Sequence, residues 1–466
     1  MKRTLLSLII GMGVTTSALA DDLLQVYQQA LANDPLVNSA KAQRDAAFEG
    51  ISISRANLFP QLSGFVGYTT SNSDIASDEL VDNEFVRFSG ENDTDVLAYG
   101  LDLQMSLYDH ANWVGLNRAE KVAERSDAIY ASVMQGVIVR VVNAYFDVLS
   151  ARDSLEFVRA EKRAFERQLE QTKQRFEVGL TAITDVHEAQ ANYDNTLAQE
   201  IQAENQLEQA LEVLRVITGK YHDRLFALDT DSFSARVPAP ASVDDWLKIA
   251  EDSNLDLLAN RLAVDIAKED ISSAQAGHYP TLGLSASYGR TDRDSTSTVL
   301  NPLNNIESTF TNNPPTLDSY SIGVRLNVPI FEGLRVTSQS DRARYLYVAA
   351  SQDLEQTYRE TVQGIRSSFN DVKAAISVIR ALEQAVVSAE SALKATEAGF
   401  DVGTRTIVDV LDSTRNLFDA RRNLSNARYA FIRSIVNLKQ AAGNLTSEDV
   451  ELINRGLTPV KESDEG

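Results

Sequence analysis

The strongest constraint on this chain is that it repeats itself. Arg175-Phe176-Glu177-Val178-Gly179 runs on to Ile183-Thr184-Asp185-Val186, and 224 residues later Gly399-Phe400-Asp401-Val402-Gly403 runs on to Ile407-Val408-Asp409-Val410. Phe59-Pro60-Gln61-Leu62 matches Tyr279-Pro280-Thr281-Leu282, Leu107-Tyr108-Asp109 matches Ile330-Phe331-Glu332, and Gly219 matches Gly443. Landmarks that keep order and spacing imply a tandem duplication of a unit of about 220 residues. That period is too long for a solenoid, so each copy is a composite module.

Each module holds two patterns. The first is strand-like: Leu97, Tyr99, Leu101, Leu103, Met105 and Leu107 alternate with polar or small residues, as do Tyr320, Ile322, Val324, Leu326, Val328 and Ile330. Weaker partners follow the Pro landmarks, at Leu62, Gly64, Val66, Tyr68 and at Leu282, Leu284, Ala286, Tyr288. Ten residues of period two are the signature of a membrane β-strand, with a soluble sandwich strand as the lesser alternative. Polar stretches of about 70–95 and 290–316 read as long loops between the strands. Four strands cannot close a barrel, and open edges are not tolerated in lipid, so membranous strands here require several chains to share one barrel. Two chains give eight strands and three give twelve.

The second pattern is helical. No proline occurs between Pro60 and Pro238. Ala144, Val148, Ala151, Leu155, Val158, Phe165, Leu169, Thr172 and Phe176 follow steps of three and four with Lys162 as the charged member, and Val372 to Phe400 repeats the track. This is a coiled-coil seam on a helix roughly 100 Å long. The expected layout is a first repeat over 21–219, with a helix, strands at about 60–70 and 96–108, a long helix at about 112–178 and a return helix at about 182–218. A linker over 220–245 follows. The second repeat, over 246–443, has a helix, strands at about 280–289 and 318–331, a long helix at about 335–402 and a return helix at about 406–442. A loop-rich C-terminal segment or tail occupies 444–466.

Lys2-Arg3, the apolar run from Leu5 to Val14 and Ala18-Leu19-Ala20 form a signal peptide over 1–20. No later stretch of about 18 residues is uninterruptedly apolar, so no transmembrane helix is expected. The 466 residues include no cysteine, which excludes disulfides and cysteine-based metal sites, and only 4 His, which leaves little for a histidine cluster. A net charge of −22 argues against nucleic acid as a partner. No phosphate-cradling loop ending in Lys-Ser/Thr appears, so no ATP site, no cofactor and no metal is expected.

Val26-Tyr27-Gln28-Gln29-Ala30, Phe59-Pro60-Gln61-Leu62, the two Val-Gly tips and above all Val402-Gly403-Thr404-Arg405-Thr406-Ile407-Val408-Asp409-Val410-Leu411-Asp412 resemble the TolC-type outer-membrane efflux channels, over nearly the whole chain after the signal. The resemblance implies a mixed fold: a membrane β-barrel plus an α-helical barrel. In it a homotrimer with four strands per protomer forms a 12-stranded barrel continuous with a coiled-coil tunnel, with 220–245 and 444–466 lying at its equator. It implies residence in the outer-membrane lipid with a large periplasmic extension. It also implies a passive duct for efflux and type I secretion, completed by a periplasmic adaptor and by an inner-membrane transporter or ABC exporter. Asp409 and Asp412, three apart on a helix, are expected to line the periplasmic entrance as an acidic ring, with crowding raising some of their pKa values. Their alternative role is a solvated or helix-start charge. Arg405, Asp185, Thr184 and Gln174 match the family's closing lock. The family's Tyr in that lock is Phe400 here, so the closed state lacks a phenol–Asp185 bond, worth about 0.5–1.5 kcal/mol. Gly179-Leu180 and Gly403-Thr404 are the expected adaptor-docking tips. Tyr108, Trp113, Phe59 and Tyr279 suit an interfacial aromatic belt.

Two other functions compete. A non-conducting, envelope-spanning coiled-coil protein needs no amphipathic strands. A glycosidase using Asp409 and Asp412 needs a pocket that a coiled-coil tip does not offer.

Overall fold

A computed structural model describes residues 21–222 and 224–459, so the expected signal peptide and residues 460–466 of the tail lie outside the described residues. The elements run α1 (Leu23–Asn33), α2 (Pro35–Ala56), β1 (Gln61–Val81), β2 (Glu84–Tyr108), α3 (His110–Glu177) and α4 (Ile183–Thr218). Then follow β3 (Ala227–Leu228), α5 (Val243–Ser253), α6 (Leu255–Ala276), β4 (Thr281–Asn301), β5 (Ile306–Asn312), β6 (Leu317–Asn327), α7 (Arg335–Asp401), α8 (Ile407–Ala441), α9 (Ser447–Asn454) and β7 (Leu457–Thr458). The order helix pair, strands, long helix, shorter helix thus occurs twice. Among the described residues, one compact unit takes in 21–43, Asp127–Ala259 and 354–459, and the other takes in Arg44–Ser126 and Asn260–Asp353.

The second of these units carries an antiparallel sheet in the order β1-β2-β4-β5, with β6 also on β4. β5 covers Ser295–Asn301 and β6 covers Thr281–Thr291 on the same strand, so five segments make four columns. The break at 313–316 contains Pro314 and Pro315, which have no N–H to donate to a ladder. Register places Gly64, Leu101, Tyr288 and Tyr320 in one row and Leu62, Leu103, Ala286 and Ile322 in the next. The opposite face carries Ser63, Asp102, Ser287 and Ser321. One face is therefore oily and the other polar, and Val66 and Tyr320 on the oily face are 80% and 83% exposed.

Three expectations need correction here. The polar stretches at 70–95 and 290–316 are mostly strand, not loop: β1 and β2 pair without interruption up to the turn Asp82-Asn83, where both residues have positive φ, as a type I′ hairpin turn demands. Backbone pairing needs no oily face, and cross-strand bonds such as Asn72 Nδ2 to Asp93 Oδ1 at 2.7 Å and Arg87 to Asp78 at 2.9 Å hold the wet part. The strand expected over 318–331 stops at Asn327, because Pro329 cannot continue the ladder. Each expected opening helix is two helices, broken at Asp34 before Pro35 and at Asn254. Both breaks are extended residues whose side chains cap the next helix, Asp34 Oδ1 taking Leu36 N–H at 2.8 Å and Asn254 Oδ1 taking Leu257 N–H at 2.9 Å.

The other unit packs around Leu23, Tyr145, Phe146, Leu214, Trp246, Ile365 and Leu438. Here the seam of α3 is buried at Val148, Leu155, Val158, Phe165 and Leu169. One stretch of α3 is apolar and long enough to cross a membrane, but its Val137, Val141, Val142 and Phe146 belong to this core. The linker and C-terminal segments are less loop-like than expected. β3 pairs with β7 through Ala227↔Thr458 and Leu228↔Leu457, and α9 contributes Val450 to the core. A pairing only two residues long, between segments so far apart in the chain, leaves no hydrophobic periodicity long enough to read in sequence.

Phe146 is fully buried against Tyr145 and Tyr429, with ring centroids at 5.7 and 5.5 Å. Phe146→Ala is expected to lower unfolding free energy by about 3–5 kcal/mol in guanidinium titrations followed by helical circular dichroism, against about 0.5 kcal/mol or less for exposed Lys248→Ala. Equal effects would show that this core does not carry the unit.

Candidate gate at the hairpin tips

Two helical hairpins end in tips built alike. α3 ends where Leu180 N–H bonds Arg175 C=O at 2.8 Å and Gly179 N–H bonds Phe176 C=O at 2.9 Å. α7 ends where Thr404 N–H bonds Gly399 C=O at 2.8 Å and Gly403 N–H bonds Phe400 C=O at 3.0 Å. Both are Schellman closures, which put the residue after the helix in the left-handed region. Gly179 and Gly403 have φ of 76° and 77°, and a Cβ on either would meet nothing. Glycine is therefore required by backbone conformation, not by space. Leu180 and Val402 stand exposed at these tips.

The helices that return differ in how they start. Thr406 and Asp409 form a capping box on α8: Asp409 Oδ2 accepts from Thr406 N–H and Oγ1, both at 2.8 Å, and Thr406 Oγ1 accepts from Asp409 N–H at 3.3 Å. α4 has Ala182 at its cap with no side-chain bond, and Asp185 instead accepts the hydroxyl of Thr181.

These bonds decide where the expected site residues stand. Within one chain Arg405 lies 3.9 Å from Asp409, and is brought to neither Asp185 nor Thr184. Gln174 donates to Glu170 at 3.1 Å, one turn back on its own helix. Thr184 is exposed. Asp412 pairs with Arg415 at 3.2 Å. Within one chain the Thr406 backbone and hydroxyl bonds hold the Asp409 carboxyl below the usual range, and Arg405 adds to this; the crowding expected of Asp409 belongs to an assembly of several chains. Asp409 and Asp412 lie on the open surface of the first turns of α8. His187 is exposed on α4.

Phe400 is the best-anchored of the expected residues. It packs with Tyr193 against the buried trio Phe165, Ile407 and Leu411, so one small cluster draws on α3, α4, α7 and α8. The Arg175 guanidinium carbon lies 4.6 Å from the centre of the Phe400 ring. Sequence reasoning missed Arg175, Thr181 and Glu161. Thr181-x-x-x-Asp185 carried a short-range signal, whereas Arg175 and Glu161 matter only through residues distant in sequence. Glu161 is buried on α3, and burial, then Asp419, push its carboxyl up to about 6, opposed by Arg415 and Arg422. Arg422 pairs with Asp419, and Arg415 bonds Asn192 as well as Asp412. Glu161 thus sits under the contact between the first hairpin and α8.

Known proteins match this chain in sequence and in fold. A profile of the outer membrane efflux protein family matches residues 26–220 and again 246–444. The chain is 47% identical over 454 residues to outer membrane protein TolC of Vibrio cholerae, covering 97% of each. It is 30% identical over 452 residues to the alkaline protease secretion protein AprF of Pseudomonas aeruginosa, covering 96% of this chain and 90% of that one. The crystal structure of the outer membrane protein VceC from Vibrio cholerae has the same fold, with a TM-score of 0.70 at 22% identity, over 90% of this chain and 96% of that one.

Glu161 generates a pH prediction. An acid with a raised folded pKa supports packing while it is protonated; the contribution is whole below 4.5 and is lost as pH rises through about 6. Between about pH 5 and 7.5 the parent's denaturation midpoint should therefore fall relative to that of Glu161→Gln. Parallel pH profiles for the two proteins would contradict the assignment.

Proposed function

This chain belongs to the outer membrane efflux protein family, and from that membership we propose that three copies form a passive exit duct, gated at the hairpin tips. Its location is the outer membrane. The observation that carries the proposal is the sheet. Four columns, oily on one face and polar on the other, end in a free edge at β1 and another at β5–β6. Such edges are intolerable in lipid, and closing them with further copies removes them. Three copies give a 12-stranded barrel with a polar lumen. The two matches of the family profile support a tandem duplication. Tyr108, Trp113, Phe59 and Tyr279, all exposed beside the ends of the oily rows, suit an aromatic belt.

α3 and α7 extend about 100 Å at 1.5 Å per residue, long enough for a helical tunnel through the periplasm. In the trimer, Asp409 and Asp412 supply six carboxylates around one axis and select cations. Arg405, with Asp185, Thr184 and Gln174, locks neighbouring coils, and the bonds these residues make within one chain are the ones exchanged when the lock forms. Gly179, Leu180, Gly403 and Thr404 offer exposed tips to a periplasmic adaptor, which recruits an inner-membrane transporter or ABC exporter. Relatives named for efflux and for secretion of a protease support both kinds of cargo. A non-conducting spacer leaves the oily rows without a purpose, and the relatives give no support for an enzyme.

In planar bilayers the purified protein should pass a small cation-selective current that rises several-fold in Arg405→Ser. Asp409→Asn with Asp412→Asn should lower cation selectivity without opening the gate. A correctly inserted trimer with no current in any variant would remove the duct and leave the spacer.

A further inference from the structure

The cluster beneath the tips holds a cation that the lock does not use. Arg175 is the residue whose carbonyl closes the first tip, and its side chain leaves the first hairpin for the second. Its Nε is buried and has no hydrogen-bond partner, and among the described residues its guanidinium forms no ion pair. What it has is a ring face, with Cζ 4.6 Å from the centroid of Phe400. That distance lies inside the range in which a guanidinium is attracted by an aromatic quadrupole. The ring in turn is fixed by Phe165, Tyr193, Ile407 and Leu411. Gly399 precedes it, and Arg405 packs so closely there that a Cβ on Gly399 would come within 2.7 Å of Arg405 Cγ. The ring that receives Arg175 and the arginine of the lock are thus held by the same turn.

We propose that Arg175 stacked on Phe400 is a latch that joins the first hairpin tip to the second within one chain and holds the entrance shut. This inference rests on the reading of the tips as a gate. It assigns Phe400 a bond of its own in place of a phenol hydrogen bond: the closing contact is a cation on a ring face. A guanidinium gives up little hydration for such a contact and recovers water readily when the ring withdraws, so the latch is reversible. Opening moves the second hairpin away from the first and separates the pair. Arg175 does not meet Asp185 or Asp409, so the latch is a contact distinct from the lock, although one turn carries both.

The test is the open probability of the full-length trimer in planar bilayers, for Arg175→Met, Phe400→Leu and the double variant, with Arg175→Lys, Phe400→Tyr and Arg405→Ser alongside. Methionine keeps the apolar stem and removes the charge. Each of the first two should raise open probability by about two- to fivefold, the range a contact of this class supplies at a partly exposed site. The double variant should do no more than the larger single, whereas Arg175→Lys, which keeps the cation, should stay near the parent, and Phe400→Tyr, which keeps the ring and adds a phenol, should be no more open than the parent. Additive effects of Met and Leu, or a lysine variant as open as the methionine one, would overturn the pairing. Arg175→Met and Phe400→Leu that both match the parent while Arg405→Ser opens would remove the latch and leave the gate. No change in any of them, in a conducting trimer, would remove the gate with it. Should Arg175→Met fail to assemble, Phe400→Leu against Phe400→Tyr decides the same question.

Discussion

The rest of this molecule depends on two unpaired sheet edges. Every backbone N–H and C=O inside a hydrocarbon layer must be bonded, and an edge strand leaves a row of them empty. Among the described residues, β1 has a partner on one side only, and so do β5 and β6. The oily rows that run from Leu62 and Val66 to Tyr320 and Ile322 cannot face water in a monomer without cost either. Both debts are met by one arrangement, in which edges pair between copies and the oily face turns to lipid. On the proposed reading, oligomerisation is a condition for the sheet to exist in a membrane, not an elaboration of a finished fold.

The helical unit obeys a different constraint. Long helices gain their stability from tertiary packing along a seam, not from propensity. The seam of α3 is well buried, while that of α7 is only half-buried from Leu382 to Phe400. The second hairpin is thus the less firmly held along its length, and near its tip it depends on a few side chains. Those are the Phe400 cluster, Arg175 above the ring, Ser413 on Thr396 at 3.2 Å and Arg421 on Glu390 at 2.7 Å. Apart from the small apolar cluster around Phe400, these contacts are polar or cationic and close to water, and such contacts exchange easily. A tip secured by one small apolar cluster and a few exchangeable contacts suits a gate better than one buried in an extensive apolar interface would.

Much of this was legible in the sequence, for physical reasons that vary by element. Gly179 and Gly403 could be read as helix stops because a left-handed residue at that position is nearly a glycine monopoly. Thr406-x-x-Asp409 carries a capping signal of which the sequence reading took only the helix-start charge, and in one chain that box holds the Asp409 carboxyl down. The wet halves of the strands were not visible, because Ser, Thr, Asn and Asp in a doubly hydrated ladder show no alternation, and Asp82-Asn83 was the only local sign of the turn. The breaks at Asp34 and Asn254 fall between two helical patterns that run on in phase, and Pro35 marks only the first. The roles of Arg405, Asp185 and Asp412 came from resemblance alone, since nothing in their local spacing separates a gate from a solvated helix face. Arg175 and Phe400 lie more than two hundred residues apart, so no local pattern joins them.

The central claim is that the open sheet is closed by copies of this chain into a lumen wide enough to conduct. Native mass measurement of the detergent-solubilised protein tests it most directly. The account predicts an assembly of three chains, and hence twelve strand columns. Two chains would give eight columns, whose interior is filled by side chains, and a stable single chain would leave the edges unpaired; either result would contradict the duct.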